Sequence, residues 1–319
     1  MTNLKDLETL SRRLRRHYRM KPVVAVLVCF LLLPTLSSAE PGAVQKLAPG
    51  VYVWQGDRGK REPANCMWVI FKDYVLVVDA NFPWAAREII AKIKSTTDKP
   101  IRFVLNTHYH GDHSYGNSVF TDVGALIINS ESTDGEARTR GADGWAKWSD
   151  PTHSLRGAHQ EFATITFSDR LVLDDGTQRV EMIRLGPAHS KGDAVAYLPR
   201  EKILATGDLC VTWGFGNNVA DANANYAGWL SALDRMNGWD PKIVVPGHGA
   251  VAGPEALRAQ RGYLAGMLLQ VQDGMRAGKT ADQLANQLDL GKYGFIASSA
   301  PANATSIRAM YRHLAAGAP

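Results

Sequence analysis

Short runs of valine, isoleucine and aromatic residues alternate with polar segments along the first two thirds of the chain. Runs of this length and composition predict β-strands. A different spacing begins at Pro83, where Ala85, Ile89 and Ile93 recur every four residues. This spacing predicts an amphipathic helix that ends near Thr97. The predicted strands lie at 51–54, 66–71, 74–78, 101–105, 125–128, 164–167, 171–173, 180–185, 194–198, 203–205 and 243–245.

The last part of the chain has helical spacing. We expect a helix after Asn225, and the segment 254–316 reads as mostly helical. Strands interrupted by helices that can cover sheets from outside predict an α/β sandwich. The segment 131–159 lacks clear periodicity and is rich in glycine and tryptophan, so we expect an irregular loop near a substrate pocket. The segments 54–61 and 213–225 are further candidate pocket walls.

The amino terminus has the pattern of a signal peptide. Eleven apolar residues at 23–33 follow a basic segment and precede Ser37, Ser38 and Ala39. A membrane span needs about 18 apolar residues or more, so we expect residues 1–39 to be removed and to leave no stable membrane anchor. Met20 is an alternative start. The expected mature protein is a single domain at 40–319, located in the periplasm or secreted.

The formal net charge of +5 comes largely from this leader. The leader carries seven of the 36 Lys and Arg residues and two of the 31 Asp and Glu residues, so the rest of the chain has equal numbers of basic and acidic residues. A neutral chain gives no support for nucleic-acid binding, and a small-molecule substrate is expected instead. Cys66 and Cys210 lack a C-x-x-C spacing, which favours buried apolar residues over a disulfide.

The densest group of metal-binding side chains follows the predicted strand 101–105. His108, His110, Asp112 and His113 lie within six residues, and Gly111 gives the backbone the freedom for a tight reversal. On a loop leaving a strand, the first two histidines can face one position, and Asp112 and His113 can face a second position nearby. The segment therefore predicts a metal site.

Three more candidate ligands follow other predicted strands. His189, Asp208 and His248 each lie near glycine, proline or both. Each residue alone is an ordinary loop residue, but the combination with 108–113 extends the predicted metal site. The remaining histidines, at 17, 153, 159 and 313, have no such context.

The H-x-H-x-D-H run, the later single histidine, the Gly-Asp pair and the Pro-Gly-His-Gly segment resemble the metallo-β-lactamase superfamily over roughly 51–251. The resemblance implies an αββα sandwich of two mixed β-sheets flanked by helices, with metals at one edge. It implies a strand-end carboxylate, Asp79, that supports the ligand histidines. It also implies a first zinc at His108, His110 and His189, a second at Asp112, His113 and His248, and Asp208 bridging both.

The expected chemistry follows from these ligands. Imidazoles and carboxylates suit zinc, although iron or manganese would accept the same set. The resemblance implies a dinuclear zinc hydrolase with catalytic roles for Asp112 and Asp208. A metal-bound hydroxide, formed because the pKa of bound water falls to about 7, would attack an ester, lactone, thioester or amide bond, including a β-lactam.

Two features leave alternatives open. In β-lactamases proper a cysteine or serine lies at or beside the position of Asp208, and an aspartate there resembles the glyoxalase II, lactonase and phosphodiesterase branches. A mononuclear iron dioxygenase of the same fold, acting on persulfides, shares much of the ligand set. Metal content would separate that alternative from a zinc hydrolase.

Overall fold

The structure is a computed structural model that describes residues 40–56, 64–148, 155, 157–212, 219, 221, 223–290 and 300–317. The predicted leader 1–39 lies outside the described residues. So do 57–61, 149–154 and 213–218, which belong to the three predicted pocket walls. Within the described residues, no helix has the length and apolar character needed to cross a membrane.

The first sheet has seven strands in sequential order. Strands β1 to β4 pair antiparallel, and β4 to β7 pair parallel. The sequence did not predict β1, a half-buried edge strand whose V-Q-K-L-A segment has little apolar pattern. The strands are β1 Val44–Ala48, β2 Val51–Trp54, β3 Cys66–Ile70, β4 Val75–Val78, β5 Ile101–Leu105, β6 Leu126–Ser130 and β7 Ile165–Phe167.

The second sheet has five strands in the order β12-β11-β10-β9-β8. Its strands pair antiparallel except β11 and β12, which are parallel. The strands are β8 Arg170–Asp174, β9 Arg179–Arg184, β10 Ala194–Leu198, β11 Ile203–Ala205 and β12 Ile243–Val245.

Helices connect and cover the strands. A π-helical turn occupies Ala137–Gly141, and a 3-10 turn occupies Gly207–Leu209. The α-helices described are α1 Pro83–Lys94, α2 Gly111–Ser114, α3 Asn117–Thr121, α4 Glu131–Glu136, α5 Ala142–Trp148, α6 Tyr226–Gly238, α7 Glu255–Arg276, α8 Ala281–Gln287 and α9 Ala300–Ala315.

Alternation along the strands explains the layers. In β4, Leu76 and Val78 belong to the core between the sheets, together with Met182 and Ala196 of the second sheet. Val75 and Val77 belong to a separate core that includes Ile89 and Ile93 of α1. A third core joins the second sheet to α6 and α7. Because both faces of each sheet are buried by apolar side chains, the layers stack as helix, sheet, sheet and helix, which confirms the predicted αββα sandwich.

The segment 131–148 is helical, so the predicted irregular loop is wrong there. The Ser130 side chain caps α4 by accepting a hydrogen bond from the Thr133 backbone N–H. The Thr133 hydroxyl donates to Gly192 O at 2.8 Å. Arg138 also pairs with Asp134 one turn earlier. Capping and contacts to a distant loop, which periodicity does not reveal, stabilise these helices.

Cys66 and Cys210 are buried and unbonded, as the sequence predicted. Cys66 packs in the core on the α1 side of the first sheet, and Cys210 packs in the core on the α6 side of the second sheet. The double sheet therefore separates the two thiols.

Candidate metal centre

All seven predicted ligands come together at one edge of the sandwich, in two groups. His108 follows β5, His189 follows β9, Asp208 follows β11 and His248 follows β12. The parallel pair β11 and β12 ends at one edge of the second sheet, and β9 ends there too because β9 and β11 both pair antiparallel with β10. In the first sheet β4 and β5 pair parallel and likewise end together. The groups are His108, His110, His189 and Asp208, and then Asp112, His113 and His248.

In the first group three imidazole nitrogens face one point. His110 Nδ1 lies 3.0 Å from His108 Nε2 and 3.2 Å from His189 Nε2. Each hydrogen bond between imidazoles needs one N–H and one lone pair, so three converging nitrogens do not satisfy one another well. A tetrahedral ion about 2.0–2.1 Å from each nitrogen would separate them by about 3.3 Å, so the group fits zinc.

In the second group a carboxylate replaces one imidazole. Asp112 Oδ2 lies 3.0 Å from His248 Nε2 and 3.5 Å from His113 Nε2. A mixed set of nitrogen and oxygen donors also suits zinc, iron and manganese. The second group therefore fits a metal ion as well.

Asp208 lies between the groups. Its Oδ2 is 3.7 Å from His189 Nε2, and its Oδ1 is 3.3 Å from His113 Nε2 and 3.4 Å from His248 Nε2. One oxygen therefore faces each group. This is the arrangement that a bridging carboxylate requires.

Only part of the centre faces solvent. The side chains of His110 and Asp112 are 18% and 22% exposed, whereas those of His113 and His189 are fully buried. A small molecule would therefore approach from the side of His110 and Asp112.

Asp79 supports two ligand histidines from behind. Its Oδ2 lies 2.9 Å from His113 Nδ1 and accepts a hydrogen bond from the Thr107 hydroxyl at 3.0 Å. The same hydroxyl lies 3.2 Å from His108 Nδ1. Asp79 has a φ of 69°, a left-handed conformation that aspartate tolerates better than most residues. The strained turn at the end of β4 places the carboxylate against His113 Nδ1 and, through the Thr107 hydroxyl, behind His108.

Asp221 is a residue that sequence analysis missed. Its Oδ2 lies 2.8 Å from His110 Nε2 and accepts a hydrogen bond from the Tyr109 hydroxyl at 2.6 Å. The carboxylate therefore orients His110 as Asp79 orients His113. The only sequence signal was its position within the candidate pocket wall 213–225, because no motif marks an aspartate on a loop.

Burial and neighbouring charges act on the histidines in opposite directions. Burial lowers the pKa of His108 well below its usual value and that of His189 to about 4. Burial also lowers the pKa of His113, but the carboxylates of Asp112, Asp79 and Asp208 outweigh it and raise the value. A neutral imidazole is the form that binds a metal, so His108 and His189 are already suited to an ion at neutral pH. Burial also lowers the pKa of His110, but the carboxylate of Asp221 outweighs it and raises the value.

A glycine makes room for the bridging carboxylate. A Cβ atom at Gly247 would lie 2.1 Å from Asp208 Oδ1 and 2.8 Å from the carbonyl carbon of Gly207. No side chain fits there, which explains the glycine before His248.

The family model described as the metallo-beta-lactamase superfamily matches residues 59–248, more than half of the chain. The chain is 29% identical over 177 residues to the 2,4-dinitroanisole O-demethylase subunit alpha of Nocardioides sp. (strain JS1661). This match covers 54% of the chain and 49% of that protein. The chain is also 22% identical over 242 residues to a linear primary-alkylsulfatase of Pseudomonas sp. (strain ATCC 19151). This match covers 64% of the chain and 46% of the alkylsulfatase. The matches thus span about half the length of these two relatives.

A third relative is the metallo-beta-lactamase type 2 of Bacillus sp. (strain 170), 27% identical over 198 residues, which cover 60% of this chain and 69% of that protein. Among solved structures, the metallo-beta-lactamase from Pontibacter korlensis superposes with a TM-score of 0.58 at 23% identity, covering 70% of this chain and 98% of its own. At this identity the likeness supports the fold alone.

Proposed function

Because the chain belongs to the metallo-beta-lactamase superfamily, we propose that it is a dinuclear zinc-dependent hydrolase that cleaves an ester, lactone, thioester or amide bond in a small molecule. One observation carries this proposal: the two oxygens of Asp208 face two separate groups of ligand atoms. Such a carboxylate can hold two ions close together, as two-metal hydrolytic sites require.

In this proposal His108, His110 and His189 hold one ion, and Asp112, His113 and His248 hold the other. When bound, zinc lowers the pKa of coordinated water to about 7 and polarises a carbonyl oxygen. Asp208 fixes the spacing of the two groups, and Asp79 and Asp221 orient the rings. Asp112, the more exposed carboxylate, can accept the proton released on attack and pass it to the leaving group.

The identity of residue 208 bears on the bond that is cleaved. An aspartate there favours an ester or lactone over a β-lactam, following the branches of the family that the sequence resembles. The three relatives are named as a β-lactamase, an alkylsulfatase and an O-demethylase. Because these names describe different reactions, they do not restrict the type of bond any further.

Metal analysis together with a substrate screen tests the proposal. Protein expressed with balanced zinc, iron and manganese should contain close to two zinc ions per chain, and His248→Ala should preferentially lose one of them. His159→Ala is the control, because that side chain is 65% exposed and lies outside both groups. The protein should hydrolyse at least one compound in a panel of esters, lactones, thioesters, β-lactams and phosphodiesters. One iron with negligible zinc, and no hydrolysis, would favour a dioxygenase instead.

We also propose that the protein is exported and cleaved after Ala39, which rests on the apolar run at 23–33 and the small residues that follow. Mass spectrometry of periplasmic or secreted protein should find a chain that begins at Glu40. An intact chain in the membrane fraction would contradict this.

A further inference from the structure

A polar depression of about 420 Å³ lies beside the metal centre, lined by Ser132, Glu136, Thr139, Arg140, Lys191 and Asn223. Its walls come from the helical segment 131–148, the loop after β9 and the loop before α6. None of these six side chains belongs to the two ligand groups or to the carboxylates that orient them.

The depression adjoins the exposed side of the first ligand group. The Asn223 backbone N–H donates to Asp221 Oδ1 at 2.7 Å, and the other oxygen of Asp221 contacts His110. Lys191 follows His189 by two residues. A molecule whose reacting bond lies at His110 and Asp112 could therefore extend into the depression.

Two cationic side chains are available there. Arg140 and Lys191 are both exposed, and in the part of the chain that the structure describes neither has a carboxylate within ion-pair distance. Burial lowers the pKa of the Arg140 guanidinium, but Tyr109, Asp221 and Glu136 outweigh it and raise the value, so the side chain is charged at neutral pH. Because a guanidinium has five N–H donors, most remain available for a ligand.

Glu136 is the single acidic residue of the lining, and both of its carboxylate oxygens already accept hydrogen bonds from the walls of the depression. Glu136 is 4% exposed, and its Oε1 accepts a hydrogen bond from Asn223 Nδ2 at 2.6 Å. Its Oε2 accepts one from the Lys191 backbone N–H at 3.0 Å. Glu136 thus joins the two loops beneath the depression, while the cations remain at its rim.

We infer that this depression is a subsite for an organic anion, in which Arg140 and Lys191 bind a carboxylate or sulfate group carried by the substrate. Paired cations on separate walls form charge-assisted hydrogen bonds to such a group. The Ser132 hydroxyl and the second N–H of the Asn223 amide supply neutral donors around it, whereas the Thr139 hydroxyl already donates to Gly135 O at 2.9 Å. The inference rests on the proposed hydrolase function and adds that its substrates are anionic.

The kinetic test compares 4-nitrophenyl hemisuccinate with neutral 4-nitrophenyl butyrate on the zinc-loaded protein. In Lys191→Ala the ratio of the KM for hemisuccinate to that for butyrate should rise roughly tenfold, and further in Lys191→Glu. Arg140→Gln should raise the ratio, and Arg140→Lys should restore part of it. Lys94→Ala, which removes an exposed charge on α1, should leave the ratio unchanged.

A binding test separates this inference from the proposed function. By titration calorimetry, succinate should bind the zinc-loaded protein at least about fivefold more weakly after Lys191→Glu at equal zinc content, and neutral succinamide should show no such difference. If no compound of the substrate panel is hydrolysed but succinate binding depends on Lys191, the subsite stands as a site for a free anion and the hydrolase proposal fails. If esters are hydrolysed but neither the KM ratio nor succinate binding changes in Lys191→Glu, the subsite is wrong.

Discussion

Asp221 Oδ2 lies 2.8 Å from His110 Nε2, on the far edge of the ring from the Nδ1 atom that faces His108 and His189. The contact fixes the ring orientation and favours the tautomer with a proton on Nε2, which leaves Nδ1 free to bind a metal. Burial raises the pKa of Asp221, but His110 and the Tyr109 hydroxyl outweigh this and hold it well below its usual value. The carboxylate is therefore charged at neutral pH.

Asp221→Asn should weaken zinc binding at the first group by about 10- to 100-fold, because the amide orients and polarises His110 less well. Chelator competition with the zinc-loaded protein measures the affinity. Asp73→Asn, an exposed substitution on a hairpin, is the matched control. Equal zinc affinity in Asp221→Asn and wild type would contradict the orienting role.

Asp208→Ser should reduce hydrolysis of an ester or lactone by about 100-fold or more, since loss of a direct ligand should cost at least as much as loss of a supporting residue. The substitution removes one negative charge from a buried site, where charges interact more strongly than in water. Zinc content and kcat/KM are measured together, with Asp73→Ser as control. Wild-type zinc content and rates on every substrate class would rule out the bridge.

Gly247→Ala should displace Asp208, because the added Cβ would lie 2.1 Å from its Oδ1. We expect a loss of about 1–3 kcal/mol in the free energy of unfolding, together with weaker zinc binding. Gly238→Ala is the matched control, since nothing lies within 4 Å of a Cβ there. Denaturant unfolding and zinc titration of both variants check this, and similar behaviour of the two would refute the steric argument.

Asp193 should make the folded state less stable as the pH rises from about 4 to about 7. Burial raises the pKa of Asp193 to about 7, although hydrogen bonds from Ser190 lower it. In this window the unfolded carboxyl is ionised, with a pKa of about 3.9, while the folded one keeps its proton, so stability falls with rising pH. Urea unfolding of metal-free Asp193→Asn should show a smaller loss over this window than wild type. Identical pH dependence of the two proteins would contradict the assignment.

Native protein that begins at Glu40 should not react with a thiol reagent, whereas its two thiols should react after denaturation. Cys66 and Cys210 are inaccessible, and burial raises the pKa of both thiols, so neither forms the reactive thiolate at neutral pH. Absorbance of the released chromophore counts the thiols. Rapid reaction of one thiol in the native protein would contradict this, because it would show that the core around that thiol is accessible to the reagent.

Local sequence determined much of the architecture. Most strands were predicted because each is a short apolar run, and α1 was predicted because Ile89 and Ile93 repeat at helical spacing beyond Pro83. The run 108–113 indicated a metal site because its ligands are neighbours in the chain. The helices at 131–148 were not predictable in this way, since their cap at Ser130 and their contact to Gly192 depend on other parts of the chain.

Only the tertiary structure decided which residues surround the candidate ligands of the run 108–113. His189, Asp208 and His248 reach the run 108–113 because β9, β11 and β12 run in the same direction and end at one edge of their sheet. Spacing along the chain does not encode this pairing. Asp221 contacts His110 across 111 residues of sequence, from a loop with no periodic pattern. The candidate ligands can thus be recognised from residue types along the chain. The orientation of each ring depends on long-range contacts, because a side chain acquires its partners only when distant segments pack together.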